Sequence, residues 1–123
     1  MVRFCLIFLC LITCLVSPPV SPAFARIVSF SAVIPDVPLV PGTVELEDQG
    51  VSFDKPGGRV AESVVDMADV SKAFVLWFYR QSLPQFGWTA QADGDFAREG
   101  EVLSLVFEPE EAPSFFRIVI KPR

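Results

Sequence analysis

The N-terminus decides how much of this chain is available to fold. Met1-Val2-Arg3 carries a positive charge, Phe4 through Val16 is apolar except for Thr13, and Ser17-Pro18-Pro19-Val20-Ser21-Pro22 cannot continue a helix. Ala23-Phe24-Ala25 then places small residues at the −3 and −1 positions that a leader peptidase requires. Residues 1–25 therefore read as a cleavable signal peptide, cut between Ala25 and Arg26. The thirteen-residue apolar run falls short of the about 20 residues needed to cross a bilayer, so no membrane span is expected after cleavage. The alternative is a lipid anchor on Cys14 within Leu11-Ile12-Thr13-Cys14. Thr13 is a poor residue before such a cysteine, and the Ala23-Phe24-Ala25 site is stronger.

Cleavage removes Cys5, Cys10 and Cys14, the only cysteines, and leaves 98 of the 123 residues, enough for one small domain. Exported domains of this size often rely on disulfides, and this one must be held by packing alone. With no histidine anywhere, Ser-His-Asp and Cys-His catalysis and the usual zinc, copper and iron ligand sets are excluded, and neither metal nor cofactor is expected. Nine lysines and arginines against fifteen acidic residues give the cleaved chain a net charge of −6. No basic cluster is present, so nucleic acid is not an expected partner.

Residues 26–49 open with an apolar stretch that runs to about Gly42 and is punctuated by Pro35, Pro38 and Pro41, which forbid a helix or a central strand. They predict a proline-rich extended arm whose Ile34, Val37, Leu39 and Val40 are too apolar for a free linker, so the arm is expected to lie against its own domain or to dock on a partner. Residues 50–123 predict that domain. A hairpin runs from Val51 through Lys55-Pro56-Gly57-Gly58 into a strand ending at Met67. Ser71 fits a helix N-cap, Val75, Phe78, Tyr79, Ser82, Leu83 and Phe86 form one stripe, Pro84 makes the last turn irregular, and Gly87 fits the left-handed terminator. Strands follow over Trp88–Ala92 and Asp95–Glu99, joined at Asp93-Gly94, then over Val102–Glu108 after a Gly100-Glu101 turn, and over Phe115–Lys121. The expected fold is α+β: one α-helix packed on an antiparallel sheet of about five strands, in the order β-hairpin, helix, β-meander.

Phe78-Tyr79, then Leu83-Pro84-Gln85-Phe86-Gly87-Trp88, resembles a class of small exported proteins of Gram-negative bacteria to which no reaction or ligand is assigned. Pro38 to Gly42 and the Phe53-to-Arg59 turn resemble the same class. The resemblance implies a bacterial setting and hence a periplasmic location; it says nothing of activity, so no functional residue is carried over.

The carboxylates Asp93 and Asp95, and Glu108, Glu110 and Glu111, fall far short of a calcium loop, and solvated turn acids account for them. Pro56-Gly57-Gly58 lacks the ending of a phosphate loop and is a turn. One feature calls for more. If Val75, Phe78, Tyr79 and Leu83 face the sheet, Trp77 points outward with Phe74 and Leu76 on its two flanks. The arm would cover them, or a partner would use them. The candidate interaction surface is therefore Phe74, Trp77, Pro35, Pro38 and Pro41, and the expected function is non-catalytic binding to an envelope or periplasmic protein. The alternative is a small-molecule-binding or carboxylate-based enzymatic domain using Tyr79, Arg80 and Arg117.

Overall fold

A computed structural model describes residues 28–123, so the leader, the cleavage residues Ala23, Ala25 and Arg26, and Cys14 lie outside the described residues. The described residues contain neither cysteine nor histidine. Among them are seven strands, β1 (Val44–Glu45), β2 (Val51–Lys55), β3 (Gly58–Asp66), β4 (Thr89–Ala90), β5 (Phe96–Arg98), β6 (Glu101–Glu108) and β7 (Phe115–Pro122), and one α-helix, α1 (Lys72–Ser82). The α+β class holds, but the sheet has seven strands rather than about five. The strand not anticipated from the sequence is β1, a two-residue pairing too short to show an alternation.

All six pairings are antiparallel, in the order β1-β3-β7-β6-β5-β4, with β2 sharing the β1 edge of β3. The registers Ala61↔Ile120 and Leu103↔Ile120 line up Ala61, Ser63, Val65, Leu103, Phe116, Ile118 and Ile120 on one face. That face is buried and carries α1, which contributes Val75 and Tyr79, with Leu83 following the helix. At the N-terminus of α1 the Ser71 hydroxyl accepts from the Phe74 amide at 3.2 Å. Pro84 converts the last turn to a 3-10 turn, Leu83–Phe86. Gly87, at φ +85°, closes it as the Trp88 amide reaches back to the Leu83 carbonyl at 3.2 Å.

Two hairpin connections differ from the sequence reading. Arg98 pairs with Glu101, so the tight turn is Glu99-Gly100, with both residues at positive φ as a type I′ turn requires. Asp93-Gly94 sits in a wider loop in which the Gln91 amide bonds the Asp95 carbonyl at 2.8 Å, which shortens the strand expected from Trp88 to Thr89–Ala90.

The N-terminal segment is not an extended polyproline arm. Pro35 and Pro41 occupy turn corners: Val37 donates to the Ile34 carbonyl at 2.9 Å with Pro35 at the second turn position, and Thr43 donates to Val40 at 3.2 Å with Pro41-Gly42 between them, Gly42 at φ +86°. Ser31 to Val37 and Leu39 to Ser29 bonds, at 2.9 and 2.8 Å, fold residues 29–39 into a hairpin-like loop around a Phe30–Pro38 bridge. Ile34, Val37 and Val40 are buried in the same core as Tyr79, Phe116 and Ile118.

Candidate functional site

Two polar anchors hold this loop on the sheet and so shape what lies beside it. Glu45, on the inner face of β1, accepts from the Ser31 hydroxyl, from the Ser63 hydroxyl at 2.5 Å and from the Ala32 amide at 2.7 Å. Burial works to raise the Glu45 carboxyl, but hydrogen bonds from Ser31, Ser63 and the 32–33 backbone outweigh it and hold the group below its ordinary range. The second anchor is at the Ile34–Val37 turn, where Asp36 takes a two-pronged contact from Arg59 at 3.0 and 2.9 Å and a further bond from Arg98. Glu101 completes the cluster by accepting from Arg59 at 2.7 Å. For Asp36, too, burial raises the carboxyl, yet the arginine hydrogen bonds and charges win and lower it to about 2. Arg98 also lies over the Trp88 ring, 4.2 Å from its centroid, and donates to the Phe86 carbonyl at 3.1 Å. Because each arginine already faces carboxylates, these polar clefts are read as a clamp.

Held this way, the loop forms one wall of an apolar groove of about 450 Å³ along α1. Val28, Phe30 and Pro38 stand on the loop side, with Trp77, Phe78 and Phe86 opposite. Phe30 meets Phe86 edge-on, their ring centroids 5.5 Å apart. Helical spacing brings Gln81 one turn below Trp77 and Ser82 one turn below Phe78. The Ser82 hydroxyl, buried and without a hydrogen-bond partner, joins Gln81 and Gln85 as the polar side chains lining a mainly apolar site.

Trp77 is 53% exposed, so the loop flanks this side chain and does not cover it. Phe74 packs on Trp77 with ring centroids 5.5 Å apart. Of the three prolines placed in the same candidate surface, Pro38 is buried and lines the groove, whereas Pro35 and Pro41 are exposed at turn corners. Sequence reasoning missed Val28, Phe30 and Phe86. A Phe30 signal existed in the apolar run before the prolines, but only the folding-back of residues 29–39 brings it to the helix.

The residues of the enzymatic alternative do not meet. Tyr79 is sealed between helix and sheet, Arg80 is exposed on α1, and Arg117 lies on the far face of the sheet with Glu62 at 2.6 Å and Glu108 at 3.2 Å. Burial, and then the charge of Glu45, push the Tyr79 phenol up, so it stays neutral. Asp93 is engaged locally, its carboxylate accepting from the Asp95 amide at 3.0 Å. Among the described residues no group of three or more acidic side chains is placed to hold a metal ion, and no helix is long and apolar enough to cross a membrane.

No family model matches the chain, and neither a curated protein nor a solved structure shows a significant similarity to it.

Proposed function

We propose that this chain is an exported, non-catalytic binding module of the periplasm that seats an apolar segment of an envelope protein in the groove between α1 and the N-terminal loop. The observation that carries the reading is Trp77, half exposed on the wall of a concave apolar site. Tryptophan anchors dominate protein interfaces because a large flat surface is desolvated with few rotamers lost. The leader and the resemblance to exported proteins of Gram-negative bacteria support the location. Intact-mass measurement tests it: a chain beginning at Arg26 supports export with cleavage, and a diacylglyceryl adduct on Cys14 replaces free export by lipid tethering.

The groove reading is tested by a photo-crosslinking residue at Gln81 in the native cell, compared with the same chain carrying Trp77→Ser and Phe74→Ser. Discrete adducts that vanish in the double variant, with its circular dichroism unchanged, support the proposal. Adducts that survive both substitutions overturn it. A small apolar molecule is the second reading, favoured by the groove volume, which lies within the roughly 300–1,000 Å³ of ligand sites. A ligand-dependent rise in Tm that Trp77→Ser abolishes, with no protein adduct, would select it.

A further inference from the structure

α1 covers one face of the sheet, and among the described residues the other face carries no α-helix and exposes several apolar side chains around a buried Val64 and the Glu62–Arg117–Glu108 ion pairs. Strand alternation places Val44, Val51, Phe53, Val60, Val102, Val106, Phe115 and Val119 there, with Val64, 6% exposed, among them. Five of the eight exposed large apolar side chains among the described residues lie on it: Val44, Val51, Phe53, Val106 and Phe115, each 38–57% exposed. Exposed apolar side chains gathered on one sheet face mark an interface.

Charge identifies the occupant. The whole chain has a net charge of −5, yet this face carries Lys55, Arg117 and Lys121 against Glu62, Asp66 and Glu108 and is neutral. The charges are also sorted along the strands. Lys55 and Lys121 stand at the end where β3 begins and β7 finishes, and Asp66 and Glu108 at the opposite end beside Phe115. A two-fold axis in the sheet plane, perpendicular to the strands, lays the lysine end of one copy over the acidic end of another. Such a contact is isologous and self-complementary.

From these observations we infer that two copies of this chain pack through the outer faces of their sheets, giving a four-layer α/β/β/α dimer. The size suffices: about five strand positions at ~4.8 Å by eight residues at ~3.3 Å give roughly 600 Å² per copy. Two such faces bury about 1,200 Å², the lower bound of stable interfaces. Sheets packed this way cross at about 30°. The grooves, on the helix sides, stay open at both ends of the dimer.

Sedimentation velocity of the mature chain from low to high micromolar concentration tests the inference. A species of twice the monomer mass is expected. Val106→Glu and Val51→Glu, both at exposed positions, should each yield monomer with unchanged circular dichroism. Lys121→Glu should weaken association about tenfold, because symmetry applies the loss twice. Trp77→Ser should leave the dimer intact, so failure of the groove proposal and failure of this one are separable. A monomer at every concentration, a dimer indifferent to Val106→Glu, or a monomer that instead co-sediments with phosphatidylglycerol vesicles through Val51 and Phe53 would overturn it.

Discussion

Replacing Glu45 by alanine removes the acceptor for the buried Ser63 hydroxyl and for Ser31, residues that are 0% and 2% exposed. Leaving a buried hydroxyl unsatisfied costs about 1–3 kcal/mol. Ser63 forfeits the bond outright, whereas Ser31 still accepts from the Ile34 amide at 2.8 Å, and the exposed Ala32 amide turns to water. Releasing the carboxylate from a partly buried position offsets some of this, so the net loss is about 2–3 kcal/mol. For a domain of this size that corresponds to a fall in Tm of about 10–20 °C, read by circular dichroism alongside urea titration. The partner substitution isolates the cause. In a Ser63→Ala background no orphaned hydroxyl remains at that site, and Glu45→Ala should then cost at least 1 kcal/mol less. A single-variant loss below about 1 kcal/mol, or two effects that add to within about 0.3 kcal/mol, would show that Glu45 does not hold the loop through Ser63.

Acid should loosen the same loop. Asp36 and Glu45 both have folded pKa values below their unfolded ones, so their stabilisation is present above the unfolded pKa and lost as pH falls through the folded one. Stability should therefore decline from about pH 4.5 towards pH 2, and an Asp36→Asn, Glu45→Gln variant titrated alongside should show a flatter decline. With Asp36 about a third exposed, solvent screening limits its share to about 1 kcal/mol. Gly50→Ala would drive a Cβ to 2.3 Å from Val33 Cγ2 and should destabilise by about 1–3 kcal/mol in urea titration; Val33→Ala added to it should recover most of the loss. Glu99 holds a positive φ of 44°, where asparagine is at ease, so Glu99→Asn should raise stability by about 0.5–1 kcal/mol. A lower melting temperature for Glu99→Asn would contradict the assigned turn.

Legibility followed the range of the interactions. The Ser71 cap, the Val75-Tyr79-Leu83 stripe and the Gly87 terminator are settled within a few residues of themselves, and all three stand where periodicity placed them. The β3 strand carried two mixed faces, and its buried one includes Ser63 because Glu45 arrives from β1 to receive that hydroxyl. Nothing near Ser63 announces this. Pro35, Pro38 and Pro41 fit a polyproline segment and a chain of turns equally well; the burial of Ile34 and Val37 against distant strands selects the turns. The groove was half legible for the same reason. Trp77 follows from helix phase, whereas its facing wall depends on how residues 28–38 fold back.

The neighbours of β3 have a consequence for how the molecule comes into being. One edge of the strand is satisfied by its own hairpin, but the other pairs with β7, Ala61 meeting Ile120 about sixty residues later. No native sheet core can close until that last strand is present, and the Ile34-Val37-Val40 segment has nothing to bury against before then. Such long-range pairing slows folding, because the loop entropy must be lost before the contact compensates for it. During that interval the chain is an open target for proteolysis, and removal of β7 should leave no stable fragment rather than a smaller domain.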